Sequence, residues 1–475
     1  MNDDGQLAST AEALRLLSRR ESIARLGGTL GAVGLGALLA DSSALAAAPP
    51  AKGARAQPQL HFAPRAKRVI HLFMNGGPFQ GDFFDPKPHL AKYAGQRPKE
   101  VDLRTERATA GLLPSPFRYE PRGRSGLPVS ELLPHLGELA DDLCVLRSVH
   151  SDNPNHGPAL YMMNNGTITP KRPCMGSWFL YGLGTDNANL PGYVVLCPGR
   201  PVRFAELWNS AFLPAEFQGT YINHSNLDPR EMIPFLKNGD LSRGEQRKQL
   251  DLMQALNREH LAARGVDDQL DTRIKSLESA FRMQTEAAEA FELKNETATT
   301  RAAYGEGDFA NACLLARRLA ERGVRFTQIY YGNGQPWDTH NKHHEQVRKL
   351  AKSIDQPIAA LLTDLKQRGM LDETLVVWGG EFGRTPVSEN GDGRDHNHYG
   401  FTMFLAGGGV RGGLAYGATD DFGFRAVQDK VHVHDLHATL LYLLGFDHEK
   451  LTYRYSGRDF RLTDVHGRVL KEVLS

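Results

Sequence analysis

Residues Thr374–Trp378, TLVVW, form a β-branched, apolar run that ends in Gly379 and Gly380 before Glu381 and Arg384. A run with no polar face is expected as a strand buried inside a parallel sheet that is covered on both sides. Open sheets of that kind place ligands outside the carboxyl ends of their strands, and the two glycines let the chain turn there without Cβ clashes. Glu381 and Arg384 are therefore expected at that edge. Asp395, His396 and His398 follow within one short polar loop, and carboxylate oxygen with imidazole nitrogen is a donor mixture suited to Zn or Mn.

The same pattern recurs along the chain. Arg68–Met74, RVIHLFM, reads as a strand that runs into NGGPFQGDFFDPKPH, which brings Asp82 and Asp85 towards the same edge. Leu143–Val149 reads as another strand, followed by the polar stretch His150–Pro158 and a helix over Ala159–Met163. A polar loop feeding a helix start suits an anion site or an activated nucleophile, and His156 lies there. Tyr193–Cys197 is a further short strand. A helix over Asn311–Arg322, a strand over Val324–Tyr331 and a helix over His344–Arg368 then lead into Thr374. The right-handed crossover of this unit would bring Asp338 and Glu381 to one edge, with His340 close by. Phe401–Ala406 completes the strand set. In the last helix Asp435 is expected as N-cap, with His434 and His437 as helix-start residues rather than ligands.

Between Leu241 and Thr300 glycine nearly vanishes and Val266, Leu270, Ile274, Leu277 and Phe281 recur at helical spacing, which predicts a helical insertion of two surface helices. At the other end, Arg19-Arg20 precedes an uncharged Gly/Leu/Ala stretch, Leu26 to Ala40, and Ala44-Leu45-Ala46 has a small-x-small form. Residues 1–48 are expected as a cleaved twin-arginine signal peptide and 49–64 as a flexible leader to the domain at 65–475. The twin-arginine export machinery is thus one expected partner, and the protein is placed in the periplasm or outside the cell. No later apolar run is long enough to span a bilayer. A net charge of +1 provides no general pull on nucleic acid. Cys144, Cys174, Cys197 and Cys313 lack CxxC spacing, and free thiols or at most one bridge are expected.

The motifs NGGPFQGDFFDPKP, NPNHGPALYMMNNG, PWDTHNKH, GGEFGRTP, GRDHNHYGFTMFLAGGGVRGG and YSGRDFRLTDVHG stand in that order. With the Arg-Arg leader they make the chain resemble, over nearly its whole length, the exported bacterial proteins grouped as domain-of-unknown-function family 1501, in the alkaline phosphatase and sulfatase superfamily. The resemblance implies a three-layer α/β/α sandwich with a mostly parallel sheet, a mono- or binuclear metal site, and a nucleophile on a loop before a helix. It implies a metal-binding acid at Glu381, donors at Asp338 and His340, and a late histidine ligand in GRDHNH.

Two departures stand out. Phe79 replaces the hydroxyl of the usual GGPS, and Asn155-His156 stands where a Ser, Thr or Cys nucleophile is expected. His156 is left as nucleophile, metal ligand or general acid, with a metal-activated water as the other route. The resulting expectation is an exported hydrolase-like protein that acts on a small-molecule or glycan phosphate or sulfate ester. His156 and Arg384 are its catalytic candidates, Arg384 as a bidentate donor to an anionic oxygen. Asp82, Asp338, His340, Glu381, Asp395, His396 and His398 are the candidates for holding a divalent metal, Zn or Mn ahead of Ca or Mg. The alternative is a non-catalytic protein of the same fold that holds an anionic glycan or a protein partner.

Overall fold

The computed structural model describes residues 58–99, 104–232, 241–264 and 268–475. The expected signal peptide, with Arg19 and Arg20, and residues 49–57 of the leader lie outside the described residues, as does Val266. The chain forms two compact units, one made of Ala54–Leu227 with Glu289–Ser475, the other including Asp228–Ala288. The expected insertion carries helices Arg243–Arg264 and Asp268–Phe291, with Arg247 paired to Glu278 at 2.6 Å.

The strands of the larger unit's main sheet are β1 (Arg68–Phe73), β2 (Leu143–His150), β3 (Tyr193–Cys197), β4 (Thr220–Asn223), β5 (Phe326–Tyr330) and β6 (Thr374–Gly379). A hairpin of β7 (Gly383–Glu389) and β8 (Gly393–Asn397) follows, and β9 (Phe401–Ala406), β10 (Leu414–Tyr416) and β11 (Val431–His432) return to the sheet. The order is β10-β2-β9-β6-β1-β5-β3-β4, with β11 on β2. Only β9 runs against its neighbours; the other pairs are parallel.

Helices cover both faces of the sheet. On one face α1 (His156–Asn165), α2 (Met175–Leu183) and, near the carboxyl terminus, a helix over Val433–Leu443 share a core with Val69, Phe73, Val195, Val377 and Leu405. Ile70, Leu72, Ile329 and Val376 alternate with these and are buried towards the opposite face, where α3 (Asp308–Glu321) packs on β5 and α4 (His343–Gln367) packs on α3. This is the expected α/β sandwich, and the run TLVVWG is buried at all six positions. Among the described residues no helix is long and apolar enough to cross a membrane.

Two local expectations are corrected. Asp435 is not the N-cap of its helix. His432 caps it, and the Asp435 carboxylate, three residues on, accepts from the His432 backbone N–H at 2.9 Å. His434 and His437 are, as expected, spent on structure: each Nε2 donates to a backbone carbonyl, of Gly166 and Met163. The segment around Asp395 is a buried strand rather than a short polar loop. It pairs with β7, so polar side chains that carry no β-sheet preference are placed by hydrogen bonding across the hairpin. All four cysteines are free and buried.

Candidate functional site

Four chain segments meet at the carboxyl edge of the sheet. Residue Asn155 ends the loop after β2, and its side chain accepts from Gly157 N at 3.2 Å, which starts α1 at His156 rather than at Ala159. His156 is therefore the first residue of the helix. The loop after β5 carries Asp338 and His340, and it lies so close to the end of β1 that a Cβ on Gly76 (φ +114) would come within 2.4 Å of Asp338 N. The β7–β8 hairpin supplies His396, beside a bulge between Arg394 and His396. A Cβ on Gly393 would lie 1.9 Å from His340 O, so only glycine lets the hairpin approach the β5 loop.

Three imidazoles converge on one carboxylate oxygen. The Nε2 atoms of His340, His156 and His396 lie 2.9, 3.2 and 3.2 Å from Asp338 Oδ1, and those of His340 and His396 are 3.0 Å apart. The opposite nitrogen of each ring is held by its own carboxylate: His156 Nδ1 by Glu381 Oε1 at 2.7 Å, His396 Nδ1 by Glu106 Oε2 at 2.7 Å, and His340 Nδ1 by Glu389 Oε2. A carboxylate accepts and does not donate, so each Nδ1 carries a proton. Where such a ring is neutral it presents an Nε2 lone pair to Asp338, a repulsion that a second proton on the ring or a cation between the groups relieves.

The donor set fits such a cation. Tetrahedral Zn with ~2.0–2.1 Å bonds holds its ligands roughly 3.3 Å apart, and carboxylates behind ligating histidines are the customary outer partners; the donors here fall into two groups within 4.8 Å, His156 with Asp338 and His396, and His340 with Asp395 and His396. The buried Asp395 Oδ1 has no hydrogen-bond partner among the described residues. Asp395 forms a second group of candidate donors with His340 and His396. Of the carboxylates here, Asp338 is paired with the Arg384 guanidinium and Glu389 with that of Arg107, while Asp395 accepts from the Arg107 backbone N–H. Burial alone would raise the Asp338 carboxyl, but hydrogen bonds from His156, His340 and His396 and the Arg384 charge hold it well below the usual carboxylate range. Burial also pulls on His156, yet its bonds to Asp338 and Glu381 leave it above its ordinary value. The Asp338 side chain keeps 22% exposure, so the point is reachable from solvent.

Asp338, His340 and His396, read from the sequence as donors, are thus together, and Asp395 adjoins them. Four other assignments change. Glu381 stands behind His156, where it also accepts from Gly76 N at 3.1 Å, and does not reach the convergence point. Asp82 is drawn away into a bond with His343 Nε2 at 2.7 Å. His398 packs on Tyr399, ring centroids 3.9 Å apart, and belongs to neither donor group. Arg384 is fully buried and already committed: Nε donates to Gly77 O at 3.1 Å, Nη1 to Arg394 O at 3.3 Å, and Nη2 to Gly76 O and to Asp338 Oδ1 at 2.5 Å. Four of its five N–H donors are thus used, and the one left on Nη1 cannot make a bidentate grip on a substrate. Glu106 and Glu389 were missed, because single glutamates in polar stretches carry no signal until the rings they support are placed.

A mostly parallel sheet between helical layers, with a histidine- and acid-rich centre at its carboxyl edge, makes this unit an α/β/α sandwich. The chain belongs to the family described as Protein of unknown function (DUF1501), which it matches over residues 66–474. No curated protein matches it. Among solved structures it is similar to lipoteichoic acid synthase LtaP from Listeria monocytogenes, with 10% identity, 85% of this chain and 76% of that chain covered, and a TM-score of 0.38. It is also similar to PsFucS1 sulfatase from Pseudoalteromonas sp. (12%, 81% and 69%, 0.34). A third is the C-terminal periplasmic domain of EcEptC from Escherichia coli in complex with Zn (10%, 82% and 86%, 0.33).

Proposed function

We propose that this protein is an exported metal-dependent hydrolase of phosphate or sulfate esters, with Zn or Mn held by His156, His340, His396 and Asp338. The observation that carries the reading is the convergence of three Nε2 atoms on Asp338 Oδ1 with a carboxylate behind each ring. Imidazole donors favour Zn over Ca or Mg. When bound, such an ion polarises an ester oxygen and makes water a stronger acid. Glu381, Glu389 and Glu106 fix the tautomers of the three rings, and Arg384 holds Asp338 in place while partly offsetting its charge. The ester class rests on the motif resemblance. With Arg384 committed, the exposed Arg203, whose guanidinium lies about 3 Å from where a Gly157 Cβ would sit, is the nearer candidate for a substrate anion.

Two observations favour the second reading, a protein that binds an anionic glycan or protein partner without turnover. No hydroxyl or thiol stands at the start of α1, and Arg384 already occupies Asp338 Oδ1. Elemental analysis of the purified protein and assay on aryl phosphates and sulfates separate the cases. Stoichiometric metal with hydrolysis supports the hydrolase, stoichiometric metal with silence on a broad ester panel supports the binding protein, and metal-free protein refutes the centre. In the hydrolase, His156→Ala should lower metal occupancy and turnover together, the latter by at least about a hundredfold. Turnover lost with metal retained would make His156 an acid–base group instead.

A further inference from the structure

Thr339 lies between Asp338 and His340, yet its side chain serves a different cluster. Its Oγ1 is 2.6 Å from His343 Nδ1, and Nε2 of the same ring is 2.7 Å from Asp82 Oδ2. All three residues are buried, with at most 1% exposure. The order of donors is fixed by chemistry. An ionised Asp82 only accepts, so His343 Nε2 carries the proton, and His343 Nδ1 must accept from the Thr339 hydroxyl. Burial pushes His343 down to about 4 and keeps the ring neutral. Burial would raise Asp82, but His343 and the Arg394 charge keep it ionised.

The segment that holds Asp338 and His340 is irregular. Its backbone ties are short turns, Asp338 N to Gln335 O at 3.0 Å, Thr339 N to Trp337 O at 3.0 Å and His340 N to Asp338 O at 3.1 Å, with Trp337 N on Asn75 O at 3.1 Å and, from the hairpin, Arg394 N on Thr339 O at 3.1 Å. These turns are local to the loop, and the side-chain bond from Thr339 adds a tie to two distant elements: His343 opens α4, and Asp82 sits in the turn after β1.

We propose that Asp82, His343 and Thr339 form a positioning relay that sets the aim of Asp338 and His340 and thereby the affinity of the metal centre. The inference rests on the metal reading above. None of the three touches the ion. Their contribution is to hold two donors within the few tenths of an ångström that coordination tolerates, where a shift of about 1 Å is costly.

The test measures Zn affinity by chelator competition in full-length mature protein, beside urea unfolding of the metal-free form. Thr339→Val keeps the shape and removes the hydroxyl, and should weaken Zn binding about ten- to a hundredfold, the scale for losing an outer partner. Thr339→Ser, which keeps the hydroxyl, should bind within about threefold of wild type. Asp82→Asn, which weakens the far anchor, should fall between and carries the same test should the valine variant not fold. A merely structural role would lower metal-free stability and leave the affinity of the folded fraction unchanged, and that result overturns the relay. A wild type that binds no Zn overturns the metal reading as well, so the two failures are distinguishable.

Discussion

Replacing Glu381, Glu389 and Glu106 one at a time by glutamine probes the centre without removing a proposed ligand. The three carboxylates differ in burial: the Glu381 side chain is 0% exposed, Glu389 4% and Glu106 31%. Glutamine can keep the hydrogen bond to Nδ1 through its carbonyl but removes the charge that makes the ring a stronger donor to metal. Glu381 Oε1 serves both His156 Nδ1 and Gly76 N, and its other oxygen also lies 3.2 Å from Gly76 N. An amide NH2 at that second position would face the Gly76 N–H. Glu381→Gln thus combines lost charge with a donor–donor contact, and should weaken Zn binding about thirty- to a hundredfold, roughly 2–3 kcal/mol. Glu389→Gln loses charge alone in a nearly enclosed place and should cost about tenfold. Glu106→Gln, screened by solvent, should cost about threefold or less. Competition with a chromogenic chelator reads all three, and circular dichroism establishes that each variant is folded. Equal affinities within about twofold across wild type and the three variants would refute the argument that these carboxylates tune ligating rings.

Arg384→Gln should destabilise the protein by at least about 3 kcal/mol in urea unfolding, because three enclosed carbonyls, of Gly76, Gly77 and Arg394, lose their donors; a raised KM with unchanged stability would restore it as a substrate-binding residue. Burial pushes His71 and His437 down to about 3, so both stay neutral in the fold, while in the unfolded chain they take up protons below about 6.5. Their stabilisation is full above that pH and is lost as the pH falls towards their folded values, each removing about 2 kcal/mol between pH 7 and pH 5. Urea unfolding of metal-free protein at the two pH values should show this, with a smaller difference in His437→Gln; an unchanged difference would show that His437 does not contribute. Replacing Arg19 and Arg20 together by lysine should leave precursor in the cytoplasm by fractionation and immunoblot, and normal export would show that the leader was misread.

What could be read from the sequence follows from which residues carry a period. β3 and β9 were placed with their observed bounds because YVVLC and FTMFLA are apolar, or nearly so, on both faces. β8 was not, because Gly393-Arg394-Asp395-His396-Asn397 has no apolar alternation and is a strand only through its pairing with β7. The rule that donors gather at strand ends pointed to the edge where Asp338, His340 and His396 meet. It could not say which way a side chain leaves that edge, so Asp82 and His398 were grouped with groups they do not face. Arg384 was assigned to substrate on residue type, whereas the open carbonyls left by the glycine-rich turn at Gly76 and Gly77 claim its donors first.

The reversed direction of β9 bears on the order in which the molecule assembles. β6, the hairpin and β9 follow one another within residues 374–406, and β6 pairs directly with β9. The β1–β6 pairing joins Arg68 to Thr374, across most of the chain. Closing the short excursion costs far less chain entropy than closing the long one, which gives the first a kinetic head start. On this view a nascent meander already presents His396 and Glu389, and waits for segments made much earlier to dock against it. Pulse-labelled hydrogen exchange during refolding should then find amides of 401–406 protected before those of 69–73, and simultaneous protection would contradict it. A protein built this way acquires its chemistry last, so partly folded chains would be compact and yet unable to hold metal.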